Sequence, residues 1–316
     1  MNYFLVSPDL DGYTNLARDE FILNELRPGD VAMYLYVNQK AVIIGRNQNP
    51  IIECKMDKLN ADGVQLVRRI TGGGAVYHDA GNLNYSFIAS NEIYDEARQT
   101  NVILNALKSF GIEAQVTGRN DITANGCKFS GNAFCSRGGN RQHHGTLLIS
   151  SELGVFSEYL TPSKLKLQAK GIKSVRSRVC NLNELNPDIT VDGMAKALRN
   201  AFEAEYGAAE EMRFTEADKL KVEELRCKHA SWEWRIGETP HFDVEFEERF
   251  TWGNARIGFA IENGIVKDCR IYTDSLNTIL PEQLAKQLTG CRFTKDELAN
   301  RTENEELNRF FGNQQI

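Results

Sequence analysis

The sequence predicts an α+β fold, on three observations. Strand-length apolar runs alternate with helices of amphipathic spacing through the first two thirds of the chain. The composition then shifts to a charged stretch of helical spacing, and beyond residue 240 short strands of period two precede two short helices. The 316 residues are long enough for about two domains. With 41% hydrophobic and 25% charged residues the chain lies near the globular average, which excludes collagen-like, mucin-like and wholly disordered classes.

Taken in order, residues 14–26 read as a helix: Leu16, Ala17, Phe21, Leu23 and Leu26 make an apolar face, and Arg27-Pro28-Gly29 ends it. Residues 31–37 and 41–45 are apolar runs on either side of Asn38-Gln39-Lys40, which predicts a hairpin. Strands follow at 64–70 and 84–89. Residues 95–110 place Val102, Ile103, Ala106, Leu107 and Phe110 on one helical face, stopped by Gly111. Short strands are expected at 112–116, 121–124, 127–130 and 146–149, then a helix at 194–206 closed by Gly207. Residues 208–228 are dense in charge with helical spacing, and 229–240 are turn-rich around Trp232 and Trp234. After the alternation of Phe242, Val244, Phe246, Phe250 and Trp252, strands at 255–261 and 265–272 are joined by Glu262-Asn263-Gly264, a hairpin turn. Helices at 281–288 and 294–300 finish the chain. The expected division is a large domain over 1–240, including a helical connector near 208–235, and a small αβ accessory domain over 241–316.

Lys plus Arg number 37 and Asp plus Glu 43, so the net charge is −6 and a bulk nucleic-acid footprint is not expected. The seven cysteines (Cys54, Cys127, Cys135, Cys180, Cys227, Cys269, Cys291) are odd in number and form no CxxC, which argues against a disulfide framework or zinc site and for a reducing cytoplasm. The start, MNYFLVSPDLDGY, lacks a basic region followed by an apolar core, and no apolar run approaches the ~18 residues of a membrane span.

Chemistry concentrates in three stretches. Arg68-Arg69-Ile70-Thr71-Gly72-Gly73-Gly74-Ala75-Val76-Tyr77-His78-Asp79 carries two arginines from a strand into three glycines. Glycine permits φ > 0 and brings backbone N–H groups close to a ligand, and successive N–H groups form an anion-binding nest. The arginine forks suit phosphate or carboxylate, and His78 with Asp79 offers an acid/base or hydrogen-bonding pair. No G-x-x-x-x-G-K-[ST] or G-x-G-x-x-G occurs, so neither a P-loop nor a dinucleotide fingerprint is present. The second stretch, Gly118-Arg119-Asn120-Asp121 and Gly126-Cys127-Lys128-Phe129-Ser130-Gly131-Asn132-Ala133, sets Lys128 between glycines where a ligand approaches the backbone. Asp121 is a candidate Mg²⁺ ligand, or equally a capping carboxylate. The third, His143-His144-Gly145-Thr146-Leu147-Leu148, places two histidines before a strand; neighbours there point to opposite faces, so one lines a site rather than both binding metal.

In these three stretches the chain closely resembles the lipoate–protein ligase family, whose members carry R-R-x-[ST]-G-G-G-A-V-[FY]-H-D, G-R-N-D, K-x-S-G-x-A and H-H-G-T-L-L in this order and spacing. Further matching stretches are Asn15-Leu16-Ala17-Arg18-Asp19-Glu20, Gly45-Arg46-Asn47-Gln48-Asn49-Pro50, Lys170-Gly171-Ile172-Lys173-Ser174-Val175, Ser177-Arg178-Val179, Ser231-Trp232-Glu233-Trp234 and Thr239-Pro240. The resemblance covers nearly the whole chain. It implies a fold related to the biotin ligase catalytic domain, with mixed sheets flanked by helices. It also implies ATP-dependent formation of lipoyl-adenylate, followed by transfer of the lipoyl group to a lysine of an acceptor such as a 2-oxoacid dehydrogenase subunit or the glycine-cleavage H protein. ATP and Mg²⁺ would be required, with no tightly bound prosthetic group.

Carried over residue by residue, the resemblance makes Lys128 catalytic and a contact of both the lipoate carboxyl and the α-phosphate. Arg69, Gly74, Ala75, Val76 and Tyr77 would contact the nucleotide, while Asn47, His78 and His144 would line the lipoate site. Octanoate is the expected alternative acyl substrate. Where several members place a basic residue after the aromatic that follows K-x-S-G-x-A, this chain has Cys135, with Arg137 and Arg141 nearby. Two other functions fit the residues. One is a cysteine-dependent octanoyl or lipoyl transferase using Cys127 or Cys180; the other is a non-catalytic lipoyl-binding module.

Overall fold

The computed structural model describes residues 1–118, 120–161, 178–237 and 242–314. Arg119, the stretch from Lys170 to Ser177, Thr239 and Pro240 lie outside them, as does the expected domain boundary near 240. The strands are β1 (Asn2–Val6), β2 (Val31–Val37), β3 (Ala41–Ile44), β4 (Gln65–Arg68), β5 (Val76–His78), β6 (Asn82–Ser90), β7 (Ala114–Thr117) and β8 (Asp121–Ala124). They continue with β9 (Cys127–Arg137), β10 (Asn140–Leu148), β11 (Arg178–Val179), β12 (Glu210–Glu211), β13 (Val244–Phe250), β14 (Gly253–Glu262) and β15 (Ile265–Thr273).

The large sheet runs β12-β1-β2-β6-β10-β9-β8-β7, with β11 added on β9. Both faces of its centre are covered, which is why β2 and β6 are almost continuously buried rather than half solvated. Period two divides β2 between two cores. Val31, Met33 and Leu35 pack with Phe87, Val102, Leu107, Leu198 and Phe202 under the helices Glu96–Lys108 and Val191–Tyr206. Ala32, Tyr34 and Tyr36 pack with Leu16, Phe21 and Ile22 of the helix Gly12–Glu25, and with Ile43 and Val67 of a small sheet ordered β4-β3-β5. The helix Gly12–Glu25 is therefore sandwiched between the two sheets, and the cavity described below opens along the same seam.

Asn38-Gln39-Lys40 does not close the expected hairpin: β2 pairs with β1 and β6, whereas β3 pairs with β4 and β5. Asn38 is buried and accepts a hydrogen bond from Asn15 Nδ2 at 2.9 Å, so this segment passes the chain from one sheet to the other. Both β9 and β10 extend well beyond the expected strands, because each finds a neighbour along its length, and His143 and His144 fall inside β10.

The antiparallel sheet β13-β14-β15 has a core of its own: Ile257, Phe259, Val266, Leu284, Leu288, Leu307 and Phe311. Two of these come from the helix Leu280–Leu288 and two from Glu305–Gly312, a helix the sequence reading missed. This unit touches the glycine loop and the segment after β3 through the end of β15 and the residues that follow it. Thr273 N donates to Asn47 O at 2.9 Å, Asn47 Nδ2 to Thr278 O at 2.9 Å, and Gly73 N to Ser275 O at 3.0 Å.

Candidate active site

The loop between β4 and β5 is held from beneath by one of the two arginines, Arg69. Arg69 is 8% exposed, and every contact it makes is to the loop and its support. Its Nε donates to Thr71 Oγ1 and Gly72 O (both 3.1 Å), Nη1 to Ile43 O (3.2 Å), and Nη2 to Gly72 O (2.7 Å) and Gly74 O (2.8 Å). Burial lowers its pKa to about 10, so it stays charged at neutral pH, and among the described residues its hydrogen-bond partners are carbonyls and the Thr71 hydroxyl, with no carboxylate. Gly73 adopts φ +93°, open to glycine, and a Cβ on Gly72 would run into Ser275 O and come within 2.8 Å of Leu276 Cα.

Arg68 turns the other way and holds the connector. It donates to Gly45 O, Arg46 O and Gln48 O, and to Trp234 O and Arg235 O, while Trp234 Nε1 returns a bond to Arg68 O at 2.8 Å. Arg46 and Lys228 flank the Trp234 ring at 4.4 and 4.2 Å from its centroid. The Ser231-Trp232-Glu233-Trp234 stretch is thus a clamp on β4. Its neighbour His229 donates to buried Glu20 at 2.8 Å, and Glu20 also takes Lys228 and Arg137.

A cavity of about 490 Å³ lies beside this loop. Arg69, residues 73–78, Asn82, Asn84, Asn120, Lys128, Asn132 and His144 line it, with Leu16, Tyr36 and Ile43 adding apolar wall from the inner core. Leu153, Phe156 and Val179 are apolar lining residues left partly exposed to solvent. Lys128, on β9, is half-buried and ion-paired with Asp121 of β8 at 2.6 Å. His144 Nε2 hydrogen-bonds Thr71 Oγ1 at 2.7 Å, while its Nδ1 faces Asp19 Oδ2 at 3.6 Å. Burial, then the charge of Arg69, drives the pKa of His78 down to about 3, leaving a neutral imidazole on the wall.

Of the residues singled out from sequence, Arg69, Gly74, Ala75, Val76, Tyr77, His78, Lys128 and His144 share this cavity. Asn47 does not line it; it bonds the segment after β15. Asp121 reaches the site through Lys128. Cys127, Cys135 and Cys180 are not among the lining residues, and burial pushes the thiols of Cys135 and Cys180 up to about 12, the opposite of an activated nucleophile. Cys135 donates to Gln142 Oε1 at 3.3 Å. Asn82, Asn84, Asn120 and Asn132 were missed. The only trace of the first two in the sequence is polar residues alternating inside a strand, Gly81-Asn82-Leu83-Asn84. No cluster of three or more His, Cys, Asp or Glu suited to a metal exists among the described residues, and none of their helices is long and apolar enough to cross a membrane.

Residues 11–203 match the lipoyl protein ligase A/B catalytic domain, and residues 239–316 match the bacterial lipoate protein ligase C-terminus. The chain belongs to the lipoate–protein ligase family. A lipoate-protein ligase A of Psychrobacter cryohalolentis is 40% identical over 304 residues, covering 93% of this chain and 89% of the relative. Among solved structures, Plasmodium falciparum LipL1 in complex with lipoate superposes with a TM-score of 0.83 at 31% identity, covering 100% of this chain and 95% of that one. A lipoate-protein ligase A bound with ATP gives 0.64 at 28% identity, covering 75% and 98%. A bipartite lipoate protein ligase of Thermoplasma acidophilum, described with its E2 lipoyl domain, gives 0.67 at 29% identity, covering 77% and 99%. The α+β architecture, with mixed sheets flanked by helices, is therefore that of the lipoate ligases, and the chain is an enzyme of ligase type.

Proposed function

We propose that this ligase joins lipoate to ATP, releasing pyrophosphate, and passes the lipoyl group from the adenylate to a lysine of an acceptor domain. The observation that carries this is one cavity with a buried arginine under its glycine loop, a lysine on the facing strand and an apolar inner wall. A carboxylate attacking a phosphate is anion meeting anion. Lys128, the loop amides of Gly74 and Ala75 with those of Val76 and Tyr77 at the start of β5, and the charge of Arg69 offset that repulsion and hold the charge that develops. Lys128 touches both the acyl carboxyl and the α-phosphate, with its bond to Asp121 exchanged for these anions. His78 and His144 border the acyl chain, and the apolar wall keeps water from the reactive adenylate.

Mg²⁺ fits the donor set: Asp121 offers a hard carboxylate oxygen next to the phosphate-handling lysine, and this ion prefers one or two carboxylates plus phosphate oxygens. It would supply charge neutralisation at the phosphates. Asn47 acts at the contact with the small C-terminal unit, which we take as a separate accessory domain beginning near 241. Seven free cysteines suit a cytoplasmic setting. Acceptors of the 2-oxoacid dehydrogenase and glycine-cleavage type are the expected partners.

Lipoate-dependent exchange of pyrophosphate into ATP, run beside octanoate and biotin, tests the proposal. Exchange with lipoate or octanoate and none with biotin is expected. No exchange with any acid, together with no ATP-dependent lipoylation of an acceptor domain, overturns it.

A further inference from the structure

Two residues that line the cavity each bury one polar atom with no partner among the described residues, His78 Nε2 and Asn82 Oδ1; the residues are 4% and 0% exposed. Buried groups left unpaired are costly, so such atoms on a cavity wall point to a ligand. Their hydrogen-bonding polarity is not free, because each stands at the end of a chain that begins at a backbone carbonyl of β2.

The carbonyls of Val37 and Asp9 can only accept, so Asn15 turns its Nδ2 toward both at 3.0 Å, and the two hydrogens of that nitrogen are shared among these carbonyls and Asn38 Oδ1 at 2.9 Å. Asn38 must then present its amide NH₂ to His78 Nδ1, 3.2 Å away. With Nδ1 accepting, the single proton of the neutral ring rests on Nε2, an unpartnered donor on a residue that lines the cavity. The second chain starts one residue earlier. The Tyr36 carbonyl accepts from Asn84 Nδ2 at 3.1 Å, so Asn84 Oδ1 accepts from Asn82 Nδ2 at 3.1 Å, and Asn82 is left with a bare acceptor. Tyr36 and Asn84 are partners across the β2–β6 ladder, which fixes the start of this relay in the sheet itself.

We propose that Asn38 and Asn84 are positioning residues that preset His78 as a donor and Asn82 as an acceptor, so that Asn82 takes a hydrogen from the nucleotide. This rests on the reading that lipoate and ATP share the cavity. Ionised lipoate carries acceptors, its carboxylate and ring sulfurs, but no N–H or O–H. It can satisfy His78 and cannot satisfy Asn82. ATP brings donors of two kinds, the amine of the base and the hydroxyls of the ribose. A nucleotide presenting an oxygen without hydrogen at that point would set acceptor against acceptor, and would be rejected by a group that cannot turn round.

The test is lipoate-dependent pyrophosphate exchange by the full chain with ATP, ITP (amine replaced by carbonyl), 2′-deoxy-ATP and 3′-deoxy-ATP. The wild type should disfavour ITP or one deoxy analogue by about tenfold or more in kcat/KM. Asn82→Ala should erase that preference. Asn84→Ala, which frees the Asn82 amide to flip, should weaken it and raise KM for ATP while leaving KM for lipoate unchanged. Equal use of all four nucleotides by the wild type, or an unchanged preference in Asn82→Ala, overturns the inference; absence of exchange with ATP itself would instead overturn the ligase reading. The donor relay is read without any variant, by ¹⁵N NMR of the imidazoles. His78 should carry its proton on Nε2 at neutral pH, and Asn38→Asp should move it to Nδ1. A wild-type His78 protonated on Nδ1 overturns the relay.

Discussion

Arg69 and Lys128 line the same cavity, one beside the small sheet and one on the large sheet, and are held in opposite ways. Arg69 is buried beneath the glycine loop, its donors taken by Thr71, Gly72, Gly74 and Ile43. Lys128 is half-exposed and tied by one ion pair to Asp121. The first arrangement is preorganised: the charge is in place before any ligand arrives, and nothing must reorganise at the moment of reaction. The second is adjustable, since a partly exposed ion pair contributes only about 0–1 kcal/mol and yields readily to a stronger anion. One wall thus holds the shape of the site while the other is free to follow the reacting carboxyl as it passes from acid to adenylate.

This contrast breaks most sharply at Lys128. Lys128→Ala should cut lipoate-dependent exchange by about 10²–10³-fold, while thermal unfolding moves by no more than about 0.5 kcal/mol. Normal exchange in a folded variant would remove Lys128 from the chemistry. Arg69→Met should do the reverse in kind. It leaves the loop carbonyls of Gly72 and Gly74 without donors in a buried place, at a cost of about 3 kcal/mol in stability. Calorimetry should show a fall in Tm for Arg69→Met and almost none for Lys128→Ala. Equal Tm losses in the two would erase the distinction between a shaping and an adjustable cation.

The same two residues show what could be read in advance. Both stand out in the sequence because Arg-Arg before three glycines and a lysine between glycines are local patterns, legible without the fold. What Arg69 does with its charge was not legible. Nucleotide contact is what the resemblance implies for Arg69, and the sequence does not show that its guanidinium also donates to the loop carbonyls on either side of Gly73, which adopts positive φ. Asn47 likewise lay in a matching stretch, but its amide bonds Thr278 some 231 residues away, a partner that only the packing of the C-terminal unit supplies. The hairpin at 38–40 failed for a related reason. The turn residues are real, yet buried Asn38 answers to Asn15 of a helix and not to the strand before it. Asn82 and Asn84 were invisible because a polar residue in a strand normally means a solvated face, and β6 has none.

The glycine loop is also the floor on which the small C-terminal unit stands, which allows the rigid wall to be perturbed without touching charge. In Gly72→Ala the new methyl meets Ser275 O and the Leu276 backbone, neither of which is a flexible side-chain end. The contact must open, at a cost of about 1–3 kcal/mol. Scattering should show a larger radius of gyration for Gly72→Ala than for the wild type, with the catalytic core still folded. An unchanged profile would mean that the clasp at Ser275 does not hold the two units together.

A gentler perturbation is pH, and it acts on the buried side of the comparison. His78 and His143 have folded pKa values near 3, set first by burial, then by Arg69 and His144 at His78 and by His144 at His143; in the unfolded chain each returns to about 6.5. Between those values the unfolded state binds more protons, so stability falls as pH drops below 6.5, by at most about 1.4 kcal/mol per pH unit for each histidine. Glu20 adds to the loss further down. Burial opposes its charge, but hydrogen bonds from His229 and Lys228 outweigh burial and hold it at about 2 against an ordinary 4.5, so its contribution stands above 4.5 and disappears as pH falls toward 2. Tm should therefore be level from pH 8 to 7, decline through pH 6 and 5, and drop more steeply below 4.5. His143→Gln, behind the cavity wall, should flatten the decline between 6.5 and 5 without altering the steeper limb. A wild-type Tm that stays level down to pH 5 would mean that the histidines beside the preorganised arginine accept protons in the folded protein, and that this wall is softer than its hydrogen bonds indicate.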